Sequence, residues 1–338
     1  MKRKAWRLKA GNIKNLKLTE EELPQLKEQE VRIAVKAIGL NFADISAILG
    51  LYSATPKGEF VPGLEYSGVV EAVGKSVAGR KIGDRVMGII RFGAYATHIN
   101  IDHRYVVPIP DRWSFEEGAS FLVQALTAHY ALINLGELKK DDTVVIHSAA
   151  GGVGIYANRI AKKIGAYTIG TVGNPAKVDF VRNEGYDEVI VRRKDFAGKL
   201  KKTLDGRALN LLLDPIGGKI LMDGYEQLAP MGRVVVYGAA HFSTRTDKPN
   251  YIKLLWNYYK RPKFDPLQMT QDNKSVMGFN LIWLYEKVEV MYRIIDSLEQ
   301  LQLAKPYVGK TYRFDEIPDA LREFQGGNTI GKQVVLLT

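Results

Sequence analysis

The chain has 338 residues, of which 46% are hydrophobic and 25% charged, so it is long enough for two folded domains and is neither a disordered nor a fibrous sequence. It contains 0 cysteines, which excludes disulfides, thiolate nucleophiles, iron–sulfur clusters and cysteine-ligated zinc. The formal charge of +11 is scattered without a nucleic-acid-binding motif, and no apolar run follows the charged start, so we expect a cytoplasmic protein with no nucleic-acid partner.

The first third of the sequence is typical of short β-strands separated by glycine and proline. Residues 31–37 alternate between apolar and polar side chains, and residues 68–73 are rich in strand-forming types. The sequence GDRV at residues 83–86 suggests a turn that enters a further strand. The chain is therefore predicted to begin with a mainly β domain.

The middle of the chain has a different pattern, in which short apolar segments alternate with helical ones. Each apolar segment is continuous rather than alternating, as is typical of strands buried on both faces of a parallel sheet. The helical segments between them would supply the crossovers of a doubly wound sheet. The five predicted strands are residues 143–147, 166–172, 188–191, 208–214 and 232–237.

The last part of the chain returns to a β pattern. An amphipathic stretch at residues 284–301 leads into a β-rich segment at residues 307–337, which resembles the first third. We therefore predict an α/β protein with two domains. Residues 1–122 and 302–338 would form the mainly β domain, and residues 123–301 the doubly wound domain.

A glycine-rich loop follows the first strand of the doubly wound region. It runs from Ala149 through Gly151, Gly152, Val153 and Gly154 into a helix at residues 155–164. Glycines let the backbone approach a pyrophosphate, and the helix N-terminus stabilises its charge, so the pattern predicts a Rossmann domain that binds a dinucleotide. Ala149 stands where the first glycine of the pattern usually lies.

The residues after the next strand indicate which nicotinamide nucleotide binds. Residues 169–174 contain no carboxylate of the kind that holds the ribose hydroxyls of NAD. Lys177 and Arg192 follow instead, and Asn174 offers a further hydrogen bond. Charge-assisted contacts to a 2′-phosphate favour NADPH as the cofactor. The alternative is that these side chains, with Arg193, are ordinary surface cations.

Four motifs in the same order as in a known family extend over most of the chain. They are residues 39–44 (GLNFAD), 61–68 (VPGLEYSG), 83–86 (GDRV) and 149–154 (AAGGVG). This arrangement resembles the medium-chain dehydrogenase/reductase superfamily, and within it the quinone oxidoreductase branch. Residues 274–281 (KSVMGFNL) look more narrowly like the VAT-1 homologue group. The resemblance implies a GroES-like β domain beside the Rossmann domain, and a homodimer.

The resemblance also bears on metal binding. Zinc alcohol dehydrogenases of this superfamily have a cysteine at the position of Asn41 and a histidine at the position of Leu64, so we expect no metal site. Without a Lewis acid, oxidation of an alcohol is poorly supported. Reduction of a small, apolar quinone or enone by hydride is easier, because an oxygen distant from the attacked carbon takes up the charge. The predicted activity is an NADPH-dependent reductase.

Three residues of the first domain are candidates for catalysis. Asn41 replaces a metal ligand and would contact the nicotinamide or the substrate carbonyl. Asp44 would reach the same site, or else serve only as a partner of a helix N-terminus. Tyr52 matches a tyrosine that related enoyl reductases use as proton donor, although Ser53 departs from the usual proline. Its alternative role is to close the rim of the pocket.

Further cofactor contacts follow from the same resemblance. Thr127 would lie near the nicotinamide, with an ordinary interior helix residue as the alternative. Tyr237, Gly238 and Phe279 would flank the nicotinamide, and Lys332 would reach the cofactor from the terminal segment. The histidines show no metal-ligand spacing, and we interpret all five as structural: His98, His103, His129, His147 and His241.

A second functional class stays open. Residues 251–264 (YIKLLWNYYKRPKF) combine aromatic and basic side chains, which suits the surface of an anionic membrane. A VAT-1-like protein that binds a nucleotide and associates weakly with lipid is therefore the alternative to a reductase. The simpler interpretation of this segment is a loop with its charges in water.

Overall fold

The computed structural model of the protein describes residues 1–243 and 245–337. The strands are β1 (Lys2–Lys9), β2 (Lys17–Glu22), β3 (Glu30–Gly39), β4 (Glu59–Phe60), β5 (Glu65–Val73), β6 (Arg85–Ile89), β7 (His98–Asp102), β8 (Val106–Pro108), β9 (Thr143–His147), β10 (Tyr167–Val172), β11 (Glu188–Val191), β12 (Leu209–Asp214), β13 (Leu228–Val236), β14 (Ser275–Gly278), β15 (Val308–Arg313) and β16 (Lys332–Leu336). The helices are α1 (Phe42–Ile48), α2 (Phe115–Gly118), α3 (Leu122–His129), α4 (Gly152–Ile164), α5 (Val178–Asn183), α6 (Phe196–Leu204), α7 (Gly218–Tyr225), α8 (Tyr251–Tyr259), α9 (Pro266–Asp272), α10 (Val288–Gln300) and α11 (Ile317–Gln325).

The described residues divide into two compact units. The first unit comprises Met1–Val123, 245–249 and 305–337, and the second comprises Gln124–Ser243 and Asn250–Ala304. The short segment 245–249 lies in the range predicted for the doubly wound domain but is part of the first unit. Its Asp247 carboxylate pairs with Arg322 at 2.8 Å, and its carbonyl accepts the N–H of Ile13 at 2.8 Å.

The first unit is built on a mostly antiparallel sheet of seven strands in the order β15-β16-β3-β5-β6-β8, with β7 also paired to β3. The terminal strand β16 pairs antiparallel with β3, with Val334 opposite Gly39. The final segment of the chain therefore returns to the first unit, as its β pattern predicts. One element differs from the prediction, because helix α11 interrupts this β-rich segment.

The second unit contains six parallel strands in the order β11-β10-β9-β12-β13-β14. This is the predicted doubly wound sheet, and the fold class of a Rossmann sheet with a mainly β GroES-like unit is confirmed. The strand order reverses at β9, since the chain runs to β10 and β11 on one side and to β12, β13 and β14 on the other. The four-residue strand β14 was not predicted, and it forms an edge of the sheet.

Burial on both faces explains why the strands of this sheet read as continuous apolar runs. Every residue of β9 is buried, and Val145, Ile169, Leu212 and Val234 lie in one core cluster. Burying a side chain of this kind contributes roughly 1.5–3 kcal/mol. Helix α4 packs on β9 and β10 and ends at Gly165, whose φ of 92° is accessible to glycine. The apolar residues thus account for the burial of the strands and for the packing of helix α4, which connects β9 to β10.

The aromatic and basic segment at residues 251–264 begins with helix α8 and continues through residues 260–264 without helix or strand, and helix α9 follows it. Asn250 caps α8, with its side-chain oxygen accepting the N–H of Lys253 at 3.0 Å, and Asp265 caps α9 in the same way. Across residues 1–243 and 245–337, no helix is long and apolar enough to cross a membrane. The predicted homodimer stays a prediction.

Candidate functional site

The glycine loop of the second unit joins β9 to α4. Gly151 precedes the helix and, as a glycine, has no side chain to cap its first turn, so the turn presents backbone N–H groups and the helix dipole to an anion. A Cβ on Gly154 would lie 2.6 Å from the carbonyl oxygen of Ser148, so only glycine fits there. Val153 lies in the first turn of the helix. The loop has the geometry that holds a pyrophosphate.

Ala149 shows why the first glycine of the usual pattern is dispensable. Its side chain is completely buried, and its N–H donates to the carbonyl of Thr171 at 3.1 Å. A Cβ added to Gly170 of β10 would lie 3.0 Å from the Ala149 Cβ. The methyl group therefore packs between strands, and the glycine needed for that contact lies on β10 instead.

Helix α3 contributes side chains to the same loop. A Cβ on Gly152 would lie 3.0 Å from the Gln124 side chain, so this glutamine covers the start of α4. Thr127 lies three residues further along α3 and is buried. The sequence analysis selected Thr127 but missed Gln124, although residues at i and i+3 share a helix face.

Two cations lie together at the carboxyl ends of β10 and β11. Arg192 Nη1 donates to the carbonyl of Thr171 at 2.9 Å, and burial lowers the pKa of Arg192 to about 10, so it stays charged at neutral pH. Burial and the neighbouring charge of Arg192 lower the pKa of Lys177. Asn174 Oδ1 accepts the N–H of Ala176 at 3.0 Å and shapes the turn that carries Lys177. Because these two cations repel each other, a phosphate bound between them would be stabilised by charge-assisted hydrogen bonds.

An aromatic group lies on the other side of β9. The Tyr237 ring is 6.2 Å from that of Phe279, which in turn is 4.9 Å from the ring of Tyr130. Gly238 has no room for a side chain, because a Cβ would lie 2.7 Å from the carbonyl of Pro215. Tyr237 and Gly238 follow β13 and Phe279 follows β14, at the ends of the strands where ligands bind in open α/β sheets.

A buried ion pair organises the polar cluster of the first unit. Lys332 is 3% exposed, and its ammonium donates to Asn41 Oδ1 and to Glu65 Oε2, each at 2.7 Å. Glu65 Oε1 accepts the N–H of Val123 at 3.0 Å. Asn41 Nδ2 donates to the carbonyl of Gly39 at 3.1 Å. The structure brings the predicted residues Asn41 and Lys332 into direct contact, and adds Glu65, which the sequence analysis missed, as the second partner of the ammonium group.

Asp44 lies beside this ion pair and is completely buried. Its Oδ2 accepts the N–H of Asn41 at 2.8 Å and the hydroxyl of Tyr95 at 3.1 Å. Burial raises the pKa of Asp44 to about 7, although the nearby Lys332 acts in the opposite direction. The contact with Asn41 is that of a partner at the N-terminus of α1. Tyr95, which the sequence analysis also missed, donates to the same carboxyl oxygen as Asn41.

Tyr52 lies in an aromatic group of the first unit. Its ring stands edge-on to Phe92 with centroids 6.4 Å apart, and Phe92 is 5.4 Å from Phe60. Phe92 has a φ of 74°, a left-handed conformation that is uncommon for a bulky residue. The site residues of the first unit thus fall into a charged cluster around Lys332 and an aromatic group around Tyr52.

The residues at the expected metal positions do not fit zinc. Zinc binds thiolate, imidazole or carboxylate, whereas Leu64 is apolar and the Asn41 oxygen is already hydrogen-bonded to an ammonium group. Within the described parts of the chain, no group of three or more acidic or histidine side chains is placed to hold a metal ion. The cation bound to Asn41 is the ammonium group of Lys332 rather than a metal ion.

Sequence signals for the missed residues exist. Glu65 is the one charged residue of the run 61–70, and a lone acid among apolar residues signals a buried partner. Asp214 similarly ends the apolar strand β12, where its carboxylate accepts the N–H groups of Ile216 and Gly217. The partner of Glu65 cannot be read from the sequence, because Lys332 lies 267 residues away.

The two units, one with a dinucleotide loop and one with a GroES-like sheet, define an oxidoreductase of the alcohol dehydrogenase type. Two family descriptions match the chain: "alcohol dehydrogenase GroES-like domain" at residues 27–111 and "zinc-binding dehydrogenase" at residues 152–296. The chain belongs to the medium-chain dehydrogenase/reductase superfamily and is related there to the VAT-1 homologues. This confirms the resemblance found in the sequence.

Curated relatives carry the name synaptic vesicle membrane protein VAT-1 homolog. The relative from Danio rerio is 35% identical over 320 residues, which are 93% of this chain and 65% of that protein. The relative from Rattus norvegicus is 33% identical over 311 residues, which are 91% of this chain and 76% of that protein. The chain thus spans slightly less than two thirds of the Danio rerio relative.

Solved structures agree over nearly the whole chain. A mycobacterial protein complexed with NADPH has a TM-score of 0.85 and 27% identity, covering 99% of this chain and 100% of that one. A quinone oxidoreductase from Pseudomonas syringae has a TM-score of 0.84 and 28% identity, with the same coverage. The enoyl reductase CurK has a TM-score of 0.85 and 27% identity, covering 99% of both chains.

Removing one partner of the buried ion pair should destabilise the protein strongly. Lys332→Met leaves Glu65 charged and buried, which we expect to lower the free energy of unfolding by about 3–5 kcal/mol. Adding Glu65→Gln should recover a large part of this loss. Denaturant unfolding measures both changes, and independent, additive effects of the two substitutions would contradict the pairing.

A matched control for this double-mutant cycle is the surface pair Lys310–Glu323, which has a similar separation of 2.6 Å but half-exposed side chains. Lys310→Met should change the free energy of unfolding by less than about 1 kcal/mol, because water screens an exposed pair.

Asp44 should make stability fall with rising pH. Its pKa is raised in the folded state, so the folded protein binds more protons than the unfolded chain, and stability is lost as the pH rises through about 7. Asn at this position does not titrate. The stability of Asp44→Asn relative to the native protein should therefore increase by about 3 kcal/mol between about pH 5 and pH 8.

The control for Asp44 is Asp179→Asn, since the Asp179 side chain is 92% exposed. Chemical denaturation at a series of pH values should show no comparable trend for this variant. A pH-independent difference between Asp44→Asn and the native protein would rule out the raised pKa.

Proposed function

We propose that the protein is an NADPH-dependent oxidoreductase that reduces quinones or α,β-unsaturated carbonyl compounds without a metal ion. The observation that carries the proposal is the glycine-rich helix N-terminus at Gly151–Gly154 together with the cations Arg192 and Lys177. These features match the two anionic groups of NADPH, its pyrophosphate and its 2′-phosphate. The related NADPH complex, quinone oxidoreductase and enoyl reductase support this assignment.

Each part of NADPH has proposed partners in the second unit. Loop N–H groups would hold the pyrophosphate, with Gln124 and Val153 beside them. Arg192, Lys177 and Asn174 would hold the 2′-phosphate. Bound NADPH supplies a hydride. The residues proposed to contact its nicotinamide half are Thr127, Tyr237, Gly238 and Phe279.

The charged cluster of the first unit supports a reaction that needs no metal. The proposed role of Asn41 and Lys332 is electrostatic, because an ammonium held in a dry environment stabilises negative charge more than it would in water. The Asp44 carboxyl group is buried, and its hydrogen bond to the Asn41 N–H holds the N-terminus of α1 in place. The proposal therefore takes Tyr52 or a water molecule as the proton donor, and the substrate as small, apolar and planar.

The experiment that tests this function follows the loss of NADPH absorbance with purified protein after treatment with a chelator. The acceptors are a panel of ortho-quinones and enones, with NADH assayed in parallel. Turnover that prefers NADPH and persists after chelation is expected. NADPH binding without turnover of any acceptor would argue against the reductase.

Arg192 should control the choice between the two nucleotides. Arg192→Ala removes a charge-assisted contact to the 2′-phosphate, so the dissociation constant for NADPH should rise about 10- to 100-fold while that for NADH changes little. Lys177→Ala should act in the same direction. Fluorescence titration of both nucleotides measures the effect.

Arg193→Ala is the matched control, because this neighbouring arginine is exposed to solvent. It should leave both dissociation constants within about twofold of the native values. Equal weakening of NADPH and NADH by Arg192→Ala would refute its assignment to the 2′-phosphate.

A second candidate function is association with an anionic lipid surface. It is favoured by α8, on which six apolar or aromatic side chains are 56–85% exposed: Tyr251, Ile252, Leu255, Trp256, Tyr258 and Tyr259. Lys260 lies over the Trp256 ring at 4.1 Å, and Arg261 over the Tyr258 ring at 3.8 Å. An amphipathic helix with flanking cations suits a membrane interface.

Sedimentation with vesicles tests this second function. The native protein should sediment with vesicles that contain phosphatidylserine, and less with vesicles of phosphatidylcholine alone. Leu255→Asp should reduce binding about tenfold by placing a charge on the apolar face. Ile82→Asp is the control, as Ile82 is 69% exposed in the first unit. Equal binding by native protein and Leu255→Asp would exclude α8 as the contact.

A further inference from the structure

The loop that follows β6 carries side chains to both groups of candidate site residues in the first unit. The hydroxyl of Tyr95 donates to the Asp44 carboxyl, which lies beside the charged cluster around Lys332, at 3.1 Å. Earlier in the same loop, the Phe92 ring stands edge-on to Tyr52, the candidate proton donor, with the ring centroids 6.4 Å apart. Phe92 therefore lies next to a candidate catalytic residue, in a loop that also contacts the polar part of the site.

Backbone hydrogen bonds hold this loop against the segment that contains Leu64, one of the two expected metal positions. The Ile90 N–H donates to the carbonyl of Leu64, and the Tyr95 N–H donates to that of Pro62, each at 2.9 Å. The N–H of Phe92 itself donates to the Ile90 carbonyl, also at 2.9 Å. Because the loop is held on both sides of Phe92, the backbone of this residue has a defined position.

The backbone conformation of Phe92 is unfavourable for an aromatic residue. Its φ is 74°, and Gly93 after it has a φ of 117°. Glycine adopts such angles freely, whereas the Cβ of a bulky residue makes them costly. Strained conformations persist where the surrounding structure enforces them, and they cluster at active sites and ligand contacts. Folding alone would favour glycine at this position, which indicates that the ring has a role of its own.

The rings of Phe92 and Tyr52 form a corner that suits a flat molecule. Their planes differ by 81°, and the buried Phe60 supports Phe92 with its centroid 5.4 Å away. The side chains of Phe92 and Tyr52 are both partly exposed, so a molecule from solution can reach them. Aromatic rings prefer stacked or edge-to-face contacts, and a planar guest makes one of each with two perpendicular rings.

We propose that Phe92 and Tyr52 bind the aromatic rings of the electron acceptor, so that the preferred substrate is a quinone with fused rings rather than a small aliphatic enone. The inference rests on the proposed reductase function and narrows its substrate class. Phe92 is then a specificity-determining residue that contacts the substrate but takes no part in the transfer of hydride or proton. Removing its ring should therefore raise the Michaelis constant of large quinones and leave kcat nearly unchanged.

The test is steady-state kinetics with benzoquinone, naphthoquinone and phenanthrenequinone, which differ in the number of fused rings, and with an aliphatic enone. Phe92→Ala should raise the Michaelis constant for phenanthrenequinone about tenfold and that for benzoquinone less than about threefold, because a smaller ring loses less contact area. Phe92→Tyr keeps the ring, and its Michaelis constants should stay within about threefold of the native values. The dissociation constant of NADPH should be the same for all three proteins.

A third variant separates substrate binding from a role in folding. Phe92→Gly relieves the backbone strain and should unfold at a higher denaturant concentration than Phe92→Ala, although both variants should lose the same affinity for phenanthrenequinone. The matched control is Phe324→Ala, since Phe324 is also partly exposed and stands edge-on to another ring, that of Phe42, at 6.0 Å. It should leave every Michaelis constant within about twofold of the native value.

Three results would overturn the inference while the proposed function stands. They are unchanged Michaelis constants in Phe92→Ala, an equal rise for all the quinones and the enone, and turnover by the native protein that is confined to aliphatic enones. A native protein that binds NADPH but reduces none of these acceptors would instead refute the proposed function, and the inference with it.

Discussion

The buried contact of Lys332 with Glu65 and Asn41 is the constraint on which the first unit depends. It joins the terminal strand β16 to β5 and to the residue that precedes α1. Removing two charges from water costs several kcal/mol per ion, and the cost is offset only where geometry and further hydrogen bonds are favourable. Here the second Glu65 oxygen is also satisfied, by the N–H of Val123. The pair therefore specifies one arrangement of distant segments.

A glycine is required on the neighbouring strand beside this contact. A Cβ on Gly39 would lie 2.0 Å from the carbonyl oxygen of Ala119 and 2.7 Å from Lys332 Cε. The motif at residues 39–44 thus begins with a glycine mainly because the backbone of Ala119 lies against it, with the lysine side chain beside it. With an ammonium bonded to Asn41 and an apolar Leu64, these two positions lack the ligands that zinc requires.

The sequence predicted what depends on local pattern and failed where distant residues meet. Strands β9 and β11 were predicted at their observed bounds, because an apolar run between turn residues defines a buried parallel strand. The strand β14 was missed although it is as long as β11, because it begins with Ser275 and ends with Gly278 and so has only two apolar residues in a row. Glu65 was overlooked because its partner is close in space and far along the chain.

The position of Arg192 depends on a neutral histidine beneath it. Arginine can only donate, so Thr171 Oγ1 accepts from the guanidinium and can donate its own hydrogen to His147 Nδ1 at 2.7 Å. Burial and the charge of Arg192 hold the pKa of His147 well below its usual range, which keeps the imidazole neutral and able to accept. A charged imidazole would lose that acceptor and repel the guanidinium. The cation proposed to select NADPH is therefore positioned by a buried, uncharged chain of hydrogen bonds, and this chain begins on the strand that precedes the glycine loop.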